Sequence, residues 1–451
     1  MASVAITAPA NAGPRVKSGG NRAALNWIGL SLVWLFVIGL VLPVESSVMV
    51  GDLRLSPYRM VLILAALPVL YRFLTGQAHG MIWPDALMLA HTLWAVAALF
   101  VTHGDLAVEP AGIYALEAAI PYFLARTYIR SAADFEAFAR VMAVLIALLI
   151  PWAAYESITH DILRNPPVVY PPRWGLMRAY GPFEHPILYG TFCAAMFGII
   201  FFALKDRVSA SSRIMRGGAV LAATFFSLSA GPLTALVAQI GLAGWNWVLK
   251  NVRYRWLILA GMFAGAWGIV SLLSTRTPIH VFIWYFTFDR GTSYMRILIW
   301  EYGSANVAAH PVFGLGMGDW ARPEWMPPSV DNFWLVTAMR YGVPAVAFLL
   351  LAMLWMCFQV GRNKRLEDQH ARNCRLGWMF SLIGLIVAGS TVHYWNATFC
   401  LFMFLLGAGA WMTRPAPATT RQAAAMTQHL PAYHKLMRDR TKTATAGAAA
   451  E

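Results

Sequence analysis

The chain has 451 residues, of which 59% are hydrophobic and only 12% charged, with a formal net charge of +14. Soluble globular proteins carry about 45–50% apolar and about 25% charged residues. These proportions exclude a soluble enzyme and a nucleic-acid-binding domain, and collagen, coiled-coil and disordered classes do not fit either. In a membrane protein the informative property of the charge is the side on which it lies, not its total.

Residues 1–24 and 414–451 are rich in Ala, Thr, Gly and Pro and read as disordered tails. Between them, 25–413 holds twelve apolar runs, most near the roughly 20 residues that a spanning helix needs. They are 25–43, 57–72, 83–102, 111–127, 140–158, 186–204, 215–231, 233–250, 255–275, 333–358, 376–392 and 396–413. The seventh and eighth are parted only by Gly231-Pro232 and resemble one broken helix. The first is long for a signal-peptide core and no small-residue cleavage pattern follows, so it reads as a retained helix. The expected fold is an all-α, polytopic integral membrane protein with about 12 transmembrane helices. Neither an internal repeat nor a second soluble domain is visible.

Threading the runs from a cytoplasmic N-terminus makes each cytoplasmic loop basic. Arg15, Lys17 and Arg22 precede the first run; Arg126, Arg130 and Arg140 fall in one inner loop, and Lys205, Arg207, Arg213 and Arg216 in another. Agreement over successive loops satisfies the positive-inside rule and puts both termini in the cytoplasm. Cys193, Cys357, Cys374 and Cys400 show no C-x-x-C spacing and read as packing residues.

Two outer loops are long, 159–185 and 276–332, and long loops in a compact domain are usually functional. The first ends in RAYGPFEHPILYG, with Arg178, Glu184 and His185 close to the start of the sixth run. A helix N-terminus with an added guanidinium suits an anion; a plain turn in which Glu184 caps the helix is the other reading. The second loop carries helical periodicity over 292–309, with Arg296, Trp300 and Gly303 on one face. As an amphipathic helix along the outer leaflet it would turn Arg296 towards lipid head groups. The glycines of GLGMG at 314–318 suggest either a backbone N–H nest for phosphate or a flexible turn. Asp331 and Asn332 stand at the mouth of the tenth run, where both residue types cap helices, and a capping carboxylate can also serve as a base.

Charges inside spans are costly and face partners or wet cavities. Arg59, Glu117, Glu156 and Arg340 are such residues, although Arg59 and Glu156, near the outer ends of their runs, also read as simple interfacial charges; Arg340, nine positions after Asp331, lies about 13 Å deeper at the helical rise. His91 and Gln239 read as interhelical hydrogen-bonding residues.

These segments resemble the bacterial O-antigen ligase and O-antigen/exopolysaccharide polymerase superfamily, over roughly 176–345. RAYGPFEHPILYG is similar to its Arg…Gly-x-Phe-x-x-Pro segment before a helix, and SLSAGPLTALVAQ at 227–239 to its Ser-rich helix start. RILIWEYGSANVAAHPVFGLGMGDW is similar to its Arg-bearing helix followed by His-Pro…Gly-x-Gly. DNFWLVTAMRYG at 331–342 is similar to its His-Asn…Gly element. Three positions depart: the usual His is Asp331, a frequent Arg is Ala230, and a frequent acidic residue is Arg340.

The resemblance implies a glycosyltransferase C-like enzyme in the inner membrane with a periplasmic active site. It would move a glycan from a polyprenyl-diphosphate carrier to an acceptor hydroxyl, either another lipid-linked repeat or lipid A core. Neither a metal nor another cofactor is expected; membrane lipids and other polysaccharide-assembly proteins are the expected partners, and nucleic acid is not. Leaving-group charge needs fixed cations, for which Arg178, Arg296 and Arg340 are the candidates, with Arg290 and Arg322 behind them. Asp331 is the expected base, in an inverting single displacement assisted by Arg296; Glu184 and His310 are reserves. Trp300, Trp320, Trp334, His310 and Asn332 are candidates for sugar contact, with interfacial anchoring the alternative for the tryptophans. The rival class is a secondary transporter, which would show repeated halves and midplane charges. Ligase and polymerase are not separated by these motifs; the VDNFWL variant and the proline-rich first loop favour polymerisation.

Overall fold

The computed structural model describes residues 19–414 apart from 52, 79, 167, 276, 286–289, 364–365 and 367. Fifteen α-helices follow in chain order among the described residues. The first five are α1 (Gly19–Leu40), α2 (Pro57–Leu74), α3 (Trp83–His103), α4 (Val108–Tyr128) and α5 (Ala132–Thr159). Next come α6 (Pro186–Ala195), α7 (Phe197–Ala203), α8 (Ala210–Phe226), α9 (Ala230–Val248) and α10 (Arg255–Leu273). The last five are α11 (Pro278–Tyr285), α12 (Arg290–Ala309), α13 (Phe333–Arg362), α14 (Gln369–Gly389) and α15 (Asn396–Ala408). A short antiparallel hairpin, β1 (Val48–Val50) with β2 (Leu53–Leu55), joins α1 to α2.

Each of the twelve apolar runs falls on a helix or, at 186–204, on the α6–α7 pair. Seven helical segments among the described residues are long and apolar enough to cross a membrane: 57–74, 83–128, 132–159, 186–203, 255–273, 333–362 and 396–413. The second of these contains both α3 and α4, which a short turn at Gly104–Ala107 reverses so that they pack on each other. The chain is thus a helical, membrane-embedded protein. α14 opens with Gln369, His370, Arg372, Asn373 and Arg375, which dilutes its apolar character. None of the residues of α10 is buried, as suits a helix that lipid surrounds.

The core centres on α15, whose residues 397–408 are all buried between α4, α6 and α14. α13 packs along α3, and α14 along α7 and α9. At the α7–α14 contact a Cβ on Gly198 would lie 2.7 Å from the Gly377 carbonyl oxygen, and the converse holds for Gly377. Small residues permit this backbone approach where lipid supplies no hydrophobic drive between helices.

Several polar groups inside the bundle bond across helices. Arg126 pairs with Asp85 at 3.2 Å and donates to the carbonyls of Ala78 and Gly80. Arg59 pairs with Glu117 at 2.7 Å, and Tyr58 donates to the same carboxylate oxygen at 2.8 Å. His91 bridges the Ala345 carbonyl and the Tyr114 hydroxyl, both at 2.8 Å. Gln239 accepts from Gly198 N–H and donates to the Ala194 carbonyl across the α6–α7 break. His91 and Gln239 are therefore interhelical bonds, as expected. The four cysteines are free, three of them buried.

Four expectations are corrected. α1 begins at Gly19, so 19–24 is helix, not tail; 1–18 and 415–451 lie outside the described residues. The break between the seventh and eighth runs is at 227–229, where Leu228 has φ +45°, and Gly231-Pro232 sits in the first turn of α9. Proline is tolerated there because first-turn N–H groups have no intrahelical acceptor. The second long loop, 276–332, contains the additional helix α11. Arg59 and Glu156, read as simple interfacial charges, both make buried bonds: Arg59 as above, and Glu156 in the loop described next.

Candidate active site

The 160–185 loop is held from its base by Glu156, buried in the last turn of α5. Its carboxylate accepts from Trp152 Nε1 (2.9 Å) and from the N–H groups of Leu163 (3.3 Å), Tyr180 (2.8 Å) and Gly181 (2.9 Å). Four donors on one carboxylate fix both ends of the loop around one point. Within it, Trp174 and Gly175 both have positive φ and close a two-residue turn between Arg173 and Leu176, whose backbones exchange bonds of 2.9 and 3.0 Å. This turn aims Arg173 back at the 227–229 break, where its guanidinium donates to the Leu228 carbonyl at 2.8 Å. Arg178 donates to Ser229 Oγ at 2.9 Å and lies over the Tyr170 ring at 5.0 Å. The break between α8 and α9 therefore supplies the oxygens that orient two arginines.

From the other side comes α12. Gly303 brings it against α13, since a Cβ there would lie 2.7 Å from Leu335 Cδ2. This close seat buries Arg296 to 6% exposure and directs it into the site. The expectation that Arg296 faces lipid head groups is thus corrected: its face is covered by α13.

α13 itself is bent. Gly342 has φ +80°, and Pro344 has no N–H to give the Arg340 carbonyl. The vacated groups are taken by the strap at 310–318. Gly316 N–H donates to the Arg340 carbonyl at 2.9 Å, Leu315 N–H to the Met339 carbonyl at 2.7 Å, and Val343 N–H to the Pro311 carbonyl at 2.8 Å. Met317 N–H donates to His103 Nε2 at 2.7 Å, and the N–H groups of Gly314 and Gly318 are bonded to carbonyls within the strap. The glycines make this fit possible: a Cβ on Gly342 would overlap the Val312 carbonyl, and one on Gly316 would overlap His103. GLGMG is consequently neither a phosphate nest nor a loose turn, because its N–H groups are already used in docking the strap.

These elements enclose a cavity of about 920 Å³. Its wall includes Arg173, Arg178, Arg296, Arg340, Asp331, Trp320, His185, Ser229 and Ala230. Burial pushes the Asp331 carboxyl above its ordinary 3.8, while Arg296 and then Arg178 act to hold it down. Burial and neighbouring Arg173 push Arg178 down to about 10, so it stays cationic at neutral pH. Burial also lowers Arg296. His185 is pushed down to about 3 by burial and by Arg178, and His393 to about 3 by burial and by Arg340. Both imidazoles are neutral and weakly basic, which leaves Asp331 as the stronger base on this wall. His185 Nδ1 accepts the Ile187 N–H at 3.0 Å, which leaves its Nε2 as the donor towards the cavity. Asp319 is the other carboxylate of the wall; it is paired with Arg322.

Of the sequence candidates, Asp331, Arg178, Arg296, Arg340 and Trp320 share this cavity. Glu184 does not: it accepts from Trp395 Nε1 at 3.1 Å and Asn396 Nδ2 at 2.6 Å behind the wall. Arg322 braces the 319–326 loop that follows the strap, donating to Asp319 and to the carbonyls of Trp320 and Met326. His310 is exposed and off the wall. Trp300 packs with Ile299, Met326 and Leu335 in a small apolar cluster between α12, the strap and α13. Trp334 donates to the Ile386 carbonyl at 3.3 Å and packs on Phe402. Asn332 caps α13, accepting Leu335 N–H at 3.0 Å. Arg290 opens α12 and its side chain lies outside the described residues. Among the described residues no group of three or more His, Cys, Asp or Glu is placed to hold a metal ion.

The sequence reading missed Arg173, Tyr170, Ser229, His393 and Trp395. Arg173 carried a signal, being an arginine in a loop expected on the outer side, where the expected basic bias of the inner loops does not explain it. His393 and Trp395 stand in a short connector before α15 and carried none. Compared with known protein families and with curated proteins, the chain matches none.

Proposed function

We propose that the chain is an inverting, metal-independent glycan transferase that uses a polyprenyl-diphosphate-linked donor, in exopolysaccharide or O-antigen synthesis. The observation that carries this reading is the convergence of Arg178, Arg296 and Arg340 with Asp331 on one cavity from three separate segments of the chain. A departing diphosphate accumulates negative charge, and guanidiniums already fixed by Ser229 and by packing stabilise it without reorganising. The acceptor hydroxyl oxygen attacks the anomeric carbon as the bond from that carbon to the phosphate oxygen breaks. The diphosphate leaves with the electron pair, and Asp331 takes the hydroxyl proton. One displacement inverts the anomeric centre.

In this reading the protein crosses the bacterial inner membrane twelve times in a glycosyltransferase C-like arrangement. Both termini are cytoplasmic and the cavity opens to the periplasm. The basic cytoplasmic loops of the positive-inside pattern support that orientation. The acceptor is a second lipid-linked repeat, making the protein a polymerase. The test is a deletion strain complemented with wild type or Arg296→Ala. Loss of long chains with accumulated carrier-linked repeats, restored by wild type and not by Arg296→Ala at equal protein level, is the expected result. Polymer retained on the carrier but not attached to lipid A core would instead identify a ligase. Unchanged carrier-linked glycan would remove the proposal.

A further inference from the structure

A second cavity of about 240 Å³ adjoins the first. Met317, Val336, Arg340, His393 and Trp395 belong to both walls. The two spaces differ in chemistry. The larger wall carries Arg173, Arg178, Arg296 and the shared Arg340 against Asp319 and Asp331. The charges that the smaller wall adds beyond Arg340 are Arg59 and Glu117, which neutralise each other across 2.7 Å. Much of its remaining surface is aromatic: Tyr114 and Tyr341 rings lie 4.5 Å apart, with Phe399 5.6 Å from Tyr114.

Glu117 is 6% exposed, and both of its donors, Tyr58 Oη and Arg59 Nε, bond to Oε1. Oε2 has no hydrogen-bond partner among the described residues. Glu117 lines this cavity, and a carboxylate oxygen without a protein donor can accept a hydrogen bond from a ligand hydroxyl. Arg59 and Asn396 hold the wall rigid: Arg59 Nη2 donates to Asn396 Oδ1 at 3.1 Å, and Asn396 is itself anchored on Glu184. Glu184 lines neither of the two cavities and acts on the second through Asn396, as a positioning residue.

We infer that this smaller cavity is the acceptor subsite and takes a single uncharged sugar ring, with Glu117 Oε2 receiving a ring hydroxyl. The inference rests on the glycan-transfer reading above. Aromatic faces meet the C–H faces of the sugar, and a carboxylate accepts from its hydroxyls. Beyond the shared Arg340 the smaller wall adds no net charge, whereas the larger adds Arg173, Arg178 and Arg296, which keeps the diphosphate donor on the arginine side. Arg340, His393 and Trp395 then mark the divide across which the sugar is passed.

The experiment uses the full-length protein in nanodiscs and two probes. One is geranylgeranyl diphosphate. The other is the repeat-unit oligosaccharide released by mild acid from the carrier-linked pool of the deletion strain. Wild type is expected to bind both. Glu117→Gln is expected to weaken the oligosaccharide at least about tenfold, the scale of one charge-assisted hydrogen bond, with the diphosphate within about twofold. Ile113→Trp fills the same cavity without touching the ion pair and decides the matter if Glu117→Gln weakens both probes; it is expected to block the oligosaccharide alone. Oligosaccharide binding undiminished in both variants overturns the inference. Wild type binding the diphosphate but not the oligosaccharide also overturns it, yet leaves the arginine site standing. Binding of neither probe removes the transfer reading as well.

Discussion

The Gly316 N–H donates to the Arg340 carbonyl at 2.9 Å, taking the place of the helical donor that Pro344 lacks. A bent α13 without this strap would leave buried carbonyls unpaired, each costing about 1–3 kcal/mol. The strap therefore fixes the bend, and the bend fixes where Arg340 and Asp331 stand relative to α12. Gly342→Ala adds a Cβ against the Val312 carbonyl at a φ that disfavours side chains. It is expected to lower stability by about 1–3 kcal/mol and to cut transfer activity. Thermal unfolding in detergent and a chain-length assay check this; a wild-type melting point would show that the strap does not brace the helix.

Neighbouring residues at the start of α13 separate chemistry from structure. Asn332 caps the helix and Asp331 faces the cavity. Asn332→Ala should cost about 1 kcal/mol of stability with activity largely kept. Asp331→Asn should leave the melting point unchanged and lower kcat by about 100-fold or more, as loss of a general base does. Full activity in Asp331→Asn would show that its carboxylate takes no proton.

The pH profile follows from the same carboxylate. The base works only when ionised, so activity falls as pH drops through its pKa. Burial raises that pKa above 3.8, and Arg296 opposes the rise. The acid limb of kcat should accordingly lie above 3.8, and in the residual activity of Arg296→Gln it should move to higher pH. A limb that stays in place, or moves down, contradicts the electrostatic coupling of the two residues.

Arg178 depends on geometry as well as charge. Its bond to Ser229 and its position over Tyr170 suit a planar fork and not a point charge. Arg178→Lys is expected to lose at least about tenfold in kcat/KM, more than Ser229→Ala, which removes one orienting bond worth about 1 kcal/mol. Steady-state kinetics on wild type, the two single variants and the double variant measure the coupling; strict additivity would mean that Ser229 does not orient Arg178.

Much of the architecture was legible because membrane helices announce themselves by length and apolarity, and every expected run is helical. The 227–229 break was misread because Gly231-Pro232 looks like a breaker, although a first helical turn accepts it; the actual break depends on Leu228 at φ +45°, which no local signal marks. Arg178, Arg296, Arg340 and Asp331 were legible as charges in or beside segments expected on the outer side or within a span. Glu184 and Trp300 were misassigned because spacing on a helix or turn does not say which neighbour covers it. Trp395 and α13 supply that cover here. The GLGMG strap was ambiguous for a related reason: whether N–H groups are free depends on a kinked helix distant in sequence.

The most direct test of the central claim is turnover of purified protein with carrier-linked repeat units, following released polyprenyl diphosphate and glycan length together. Wild type should release one diphosphate for each repeat added, and Arg296→Ala should bring both to background. Release without lengthening, or lengthening that Arg296→Ala leaves unchanged, would contradict the account.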